Sequence, residues 1–151
     1  VHSLQLWVNL PSAEKMTEPR YQNLRSGNMP VRTEEGARVV IFSGSSGGVS
    51  SDTKNVVPIT MVELQLEPGA TVKQDLPGSY NGFFYVLEGE GAFGREGTKG
   101  AQRQALWLGH GEEGQPSVVS VTAITRLRVL LYAGEPVREP VVARGPFVMN
   151  T

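Results

Sequence analysis

Near the start of the chain, Leu4, Leu6, Val8 and Leu10 alternate with Gln5, Trp7 and Asn9. A period of two puts one set on each face of an extended segment and predicts a strand over residues 3–10. Pro11 ends that run, and Ser12 is placed to cap one helical turn over residues 12–15 before Pro19 intervenes. Residues 11–37 are mostly polar and are punctuated by Pro11, Pro19, Gly27, Pro30 and Gly36. They read as an irregular connection lying over a surface. Beyond Arg38 the character changes. Residues 39–42 are an apolar run fit for a buried strand, and the Ser/Gly-rich residues 43–52 read as a loop. Val62, Leu64 and Leu66 alternate with Met61, Glu63 and Gln65, and Glu67, Pro68 and Gly69 turn the chain. Further strands are predicted at 71–76, 82–87, 105–108, 117–122 and 126–132. In the last, Leu127, Val129 and Leu131 face inward while Arg126 and Arg128 face out.

The expected core is Val62, Leu64, Leu66, Phe84, Val86, Leu127, Val129 and Leu131. Phe84 and Val86 are chosen over Phe83, Tyr85 and Leu87. Short strands at even spacing, with no long 3.6-residue period, predict an all-β sandwich or barrel. Composition agrees: 18 Gly and 10 Pro in 151 residues supply turns, and the length suffices for one core.

Charge and composition remove several functions. With Lys+Arg 14 and Asp+Glu 15 the net charge is −1, which argues against direct nucleic-acid binding. Without cysteine there is no disulfide, thiolate metal site or thiol nucleophile. Two histidines, His2 and His110, cannot make a three-histidine metal site. No apolar run approaches the ~20 residues of a membrane-spanning helix, and no signal-peptide pattern opens the chain. It starts at Val1 and stops at Thr151 without a polar tail, and is expected to be a piece of a longer protein.

Residues 89–94 satisfy G-x-G-x-x-G after the strand at 82–87, and residues 109–114 repeat the pattern. A dinucleotide site needs those glycines to open a helix. More glycines follow instead, so both are read as β-turns. The Ser/Gly loop at 43–51 has no phosphate-loop lysine. His110, Glu112 and Glu113 are the one cluster of potential ligands or acid–base groups, and a glycine-rich turn makes them solvated. His2 alone supports nothing, and no nucleophile-elbow pattern is present. Arg20, Arg25, Arg32, Arg126 and Arg128 read as solvated faces.

Residues 69–77 and 82–91, ending in Tyr85-Val86-Leu87-Glu88-Gly89-Glu90-Gly91, resemble the first signature motif of the cupin barrel, G-x5-H-x-H-x3,4-E-x6-G. Gly69 and Gly89 fit its glycines. Its two His slots fall on Asp75 and Pro77, its Glu slot on Gly82, and the second motif's His on Gly114. The resemblance therefore implies a cupin-type jelly-roll barrel or sandwich that has lost its metal chemistry. Residues 2–11 with 14–22, and residues 134–141 with 145–151, resemble the pirin family, in a version close to its eukaryotic members.

That resemblance implies the following organisation. Residues 1–37 are an interdomain strand and connection, 38–135 a C-terminal cupin barrel, and 136–151 an extended tail. The family's iron is held by a first cupin, which this chain lacks; His2 matches a non-ligand position, and no metal, cofactor or catalytic residue is expected here. The function implied is a metal-free structural or binding module of an iron-binding transcription cofactor found in nucleus and cytoplasm. The alternative is part of a quercetin 2,3-dioxygenase-like enzyme whose metal lies in that first cupin. Expected partners are the missing first cupin and transcription regulators, including Rel-type factors. Leu4, Leu6, Trp7, Val8, Phe147, Val148 and Met149 are the expected interdomain or self-association surface, through which the exposed termini would build a homo-oligomer.

Overall fold

The computed structural model describes residues 3–151; His2 lies outside them. The chain divides into two compact units, Gln22–Glu135 and the two chain ends together, up to Tyr21 and from Pro136.

The larger unit is all-β and antiparallel. Its strands are β1 (Val31–Glu34), β2 (Ala37–Ser43), β3 (Ser45–Ser46), β4 (Val49–Ser50), β5 (Ile59–Leu66) and β6 (Thr71–Pro77). They continue with β7 (Asn81–Glu88), β8 (Glu90–Phe93), β9 (Thr98–Ala101), β10 (Ala105–Trp107), β11 (Pro116–Ala123) and β12 (Leu127–Gly134). One sheet has the order β1-β2-β5-β12-β7-β10 and the other β6-β11-β8-β9, with β3 and β4 forming a small separate hairpin. Neither sheet closes on itself. They face each other across one apolar cluster drawn from both, which includes Val62, Leu64, Val86 and Leu131 from the first and Val72, Phe93 and Val121 from the second. Phe84 and Phe93 bridge the sheets with ring centroids 5.1 Å apart.

Cross-strand register explains the core. Leu127, Val129 and Leu131 of β12 stand opposite Leu66, Leu64 and Val62 of β5. Val129 and Leu131 also stand opposite Val86 and Phe84 of β7. These apolar positions share one face of the pleat, so each strand buries alternate residues against its neighbours and the opposite sheet. All eight expected core residues are at most 2 % exposed.

The structure differs from the sequence pattern in several places. Residues 3–11 form no strand, and Leu4, Leu6, Trp7 and Val8 are all exposed. Alternation creates the faces of a strand, but a strand also needs a neighbour for its backbone groups. The turn at 12–14 is a 3-10 turn preceded by Pro11, with no side-chain cap. The 89–94 motif is only partly a turn. Gly89, at φ +79°, makes the bend, and a Cβ there would lie 2.0 Å from the Arg126 carbonyl oxygen. Residues 90–93 then run on as β8.

In the unit of the chain ends, the closing residues form a hairpin, β13 (Val142–Arg144) with β14 (Phe147–Met149), rather than an extended tail. Gly145 turns it at φ +57°. One oxygen of the Glu139 carboxylate accepts from the Ser12 backbone N–H at 2.8 Å and from the Asn150 amide at 2.7 Å.

Truncating Leu64, Leu127 or Leu131 to Ala should each cost ~2–5 kcal/mol, because the rigid facing sheets cannot collapse into the space. Urea unfolding checks this; losses below ~1 kcal/mol at all three sites would contradict the packing.

Candidate functional site

At one end of the sandwich β3, the starts of β5 and β11, the end of β6 and the loops beside them line an open cleft of about 780 Å³. Its walls combine apolar groups (Val56, Val57, Pro58, Ile59, Leu76) with polar ones (Thr60, Asp75, Ser79, Tyr80). No Lys, Arg or His lines it. Period-two geometry decides what β6 contributes. Val72, Gln74 and Leu76 point inward and are buried, whereas Lys73, Asp75 and Pro77 are exposed.

Gln74 is fully buried, so every polar atom of its side chain needs a partner. Its Oε1 accepts from the Ser46 hydroxyl at 2.6 Å. Its Nε2 donates to the carbonyls of Ser45 at 3.0 Å and Asp75 at 2.8 Å. Arg32 Nη1 donates to the Ser46 hydroxyl at 2.8 Å and to the Lys73 carbonyl at 3.1 Å. The Gly47 N–H donates to Asp75 Oδ1 at 2.8 Å. Gly47, at φ +54°, leaves room for the Arg32 side chain, which a Cβ would approach to 2.8 Å. The β3–β4 hairpin is thereby fastened to β6 by polar contacts at the edge of the core. Arg32 is thus no solvated surface residue; its side chain is 11 % exposed and also pairs with Glu34. Arg128 likewise joins Glu63 at 2.8 Å and Glu88 at 3.0 Å. The hydrogen bond that Arg128 donates to Glu63 is the main reason its pKa lies above the ordinary arginine value.

The cupin-motif slots are now placed in space. Asp75 and Pro77 lie on the outer face of β6, so the two inward positions beside them are Gln74 and Leu76. One residue of offset exchanges the faces of a strand. Gly82 shares the inward face of β7 with Phe84 and Val86, and Gly114 is an exposed turn glycine at φ +75°. A neutral amide, an alkyl group and glycines are a poor donor set for a transition metal. Among the described residues, no three His, Cys, Asp or Glu side chains are grouped to hold an ion. His110, Glu112 and Glu113 lie on the exposed turn before β11.

Of the thirteen large apolar side chains exposed among the described residues, ten lie in the unit of the chain ends. They include Leu4, Leu6, Trp7, Val8, Phe147 (67 %) and Met149, while Val148 is half-buried. The cleft has no single local signature in the sequence because its walls come from segments as far apart as Gly44 and Pro116. The Ser/Gly composition of residues 43–52 was the one local signal.

Two antiparallel sheets of six and four strands around a single core, with a cleft at one end, define a cupin-type sandwich. The Pirin C-terminal cupin domain family matches residues 61–151. Pirin-1 of Arabidopsis thaliana is 41 % identical over 99 % of this chain and 52 % of its own length. Among solved structures, GK1651 from Geobacillus kaustophilus is 63 % identical with a TM-score of 0.88, covering 89 % of this chain and 54 % of that one. A quercetin 2,3-dioxygenase from Acinetobacter baumannii is 26 % identical with a TM-score of 0.85, covering 96 % and 49 %. The chain belongs to the pirin family. It spans about half the length of the relatives it matches. The high identity with a bacterial protein corrects the expectation of a version close to the eukaryotic members. No helix among the described residues is long and apolar enough to cross a membrane.

Two predictions follow the polar groups. Ser46→Ala removes the donor to a fully buried carbonyl oxygen of Gln74, and should cost ~1–3 kcal/mol in urea unfolding. Burial, then the charge of Glu135, raises the Tyr80 pKa; burial, then Glu63, raises that of Tyr132. Both phenols therefore hold their protons more tightly folded than unfolded. Their contribution to stability is complete below the ordinary tyrosine value of about 10 and is lost as pH rises through the folded values. Stability measured across this alkaline range should fall, and less steeply in the Tyr80→Phe, Tyr132→Phe double variant.

Proposed function

We propose that this chain is a structural and binding module, the second cupin of a pirin-type two-cupin protein, with no metal of its own. The observation that carries the reading is the inward row of β6, where Gln74 and Leu76 occupy the positions from which a cupin strand would offer ligands. Gln74 is committed to Ser45, Ser46 and Asp75 and holds a loop in place. Relatives twice as long supply room for a first cupin bearing the iron that the family resemblance implies. The partner surface proposed for it is Leu4, Leu6, Trp7, Val8, Phe147, Val148 and Met149. Covering several hundred Å² of such surface is worth on the order of 10 kcal/mol before association entropy is subtracted. Where a first cupin is lacking, two copies of this chain would cover the same side chains. The finer role, an iron-dependent transcription cofactor acting on Rel-type regulators in nucleus and cytoplasm, is supported by the family resemblance.

The test uses the half of the Geobacillus kaustophilus protein that this chain does not cover, expressed separately and mixed with it. A one-to-one complex is expected by light scattering, and Trp7→Ser with Phe147→Ser should weaken it at least ~tenfold. A chain that stays monomeric in the mixture, with residues 3–10 and 140–151 readily clipped by protease, would sink the proposal.

A second reading is favoured by the Acinetobacter baumannii quercetin 2,3-dioxygenase. There the chain completes an oxygenase whose metal sits in the other half, an open metal position being what such chemistry needs. An iron-loaded mixture of the two halves should then consume quercetin while this chain alone does not. An inert, fully loaded mixture removes that reading.

A further inference from the structure

Most polar groups around the cleft are already engaged. The hydroxyls of Ser51 and Thr53 donate to the Phe42 carbonyl at 3.1 and 2.6 Å. The Asn55 amide donates to the Ser43 hydroxyl at 2.5 Å, and the Ser79 hydroxyl to the Glu135 carboxylate at 2.8 Å. Three groups are left over. Thr60 is only 6 % exposed, yet it lines the cleft and its hydroxyl has no hydrogen-bond partner among the described residues. The Tyr80 hydroxyl lines the same cleft, also without a partner there. Asp75 uses one carboxylate oxygen on the Gly47 N–H and has the other to offer. Groups whose only other partner is the water of an open cleft are free to exchange that water for a molecule entering it.

We propose that this cleft binds an uncharged small molecule carrying several hydroxyl groups on an aliphatic ring, a cyclic polyol or monosaccharide. The three leftover groups select it by complementarity. The Asp75 carboxylate only accepts, while the Tyr80 phenol and the Thr60 hydroxyl each donate and accept. A ligand hydroxyl both donates and accepts, and therefore serves all three. An ammonium group has donors alone and offers no acceptor to the Tyr80 and Thr60 protons. A carboxylate or phosphate would meet Asp75 with no lining cation to offset the repulsion. Val56, Val57, Ile59, Pro77 and Pro116 give the C–H faces of a saturated ring an apolar wall. The cleft is within the range of size that small-molecule sites occupy. Burial and the charge of Glu135 keep the Tyr80 phenol protonated well above neutral pH, so the donor is always present. Every residue lining the cleft belongs to the larger unit, and the proposal does not depend on pairing with a first cupin.

Amide-resolved NMR titration of the isotope-labelled 151-residue chain tests it, with methyl glucoside and myo-inositol as polyols, putrescine as cation and malonate as anion. Either polyol should shift amides of residues 44–60, 75–80 and 114–116 saturably, while putrescine and malonate leave them in place. Thr60→Val and Tyr80→Phe should each weaken polyol binding about tenfold, the loss of one well-placed hydrogen bond. Asp75→Asn should weaken it as well, and unchanged amides elsewhere show that each variant is folded. Tyr80 is only half-buried, so its variant serves even if the buried Thr60→Val perturbs packing. The proposal is overturned if neither polyol gives saturable shifts, if putrescine or malonate binds as tightly, or if the Tyr80 and Asp75 variants bind like the parent.

Discussion

Strand β12 is the element on which the rest of the sandwich depends. It lies between β5 and β7 in the centre of the six-stranded sheet, and its Leu127, Val129 and Leu131 are fully buried. Each stands opposite an apolar residue of β5, and two also stand opposite residues of β7, so one row of side chains sets two registers together. A slip of one residue would turn that row outward and bring Arg128 and Tyr132 toward the core. Arg128, joined to Glu63 and Glu88 on the outer face, opposes such a slip. Charge on one face and aliphatic bulk on the other therefore specify the same pairing.

The second sheet follows a different logic at its edge. β6 carries a polar residue, Gln74, on its buried face, which an apolar core would not tolerate unless each atom were matched. The matching groups come from Ser45 and Ser46, on a short hairpin that has almost no apolar surface of its own. Gln74 and the hairpin are mutually dependent: the amide is satisfied by the loop, and the loop is ordered by the amide. Arg32, reaching from β1 across Gly47, ties the six-stranded sheet into the same network. Hydrogen bonds organise this region.

The chain ends obey neither rule. Their apolar residues alternate as a strand would, yet they face solvent and form no ladder over residues 3–11. Polar contacts through Glu139 and a hairpin of two three-residue strands give this unit its order. Surface so rich in exposed apolar groups is typical of a region made to be covered.

What the sequence determined by itself was everything that depends on local period. The alternation in 60–66, 82–87 and 126–132 identified strands and the eight core residues, because burying one face requires one period. The all-β class and the cupin resemblance rested on the same spacing and on Gly69 and Gly89. Tertiary structure decided whatever depends on a neighbour. Residues 3–10 have the alternation without a partner strand; β8 and β9 have partners without a clear alternation, since Gly91 and Gly100 face each other there. Motif counting placed the ligand slots on Asp75 and Pro77, and the pleat of β6 moved the inward positions to Gln74 and Leu76. Arg32 looked like a solvated charge until β1 carried it beside Ser46. The cleft, assembled from β3, β5, β6, β11 and the loops beside them, had no continuous trace in the chain at all, because only folding brings Thr60, Asp75 and Tyr80 to one place.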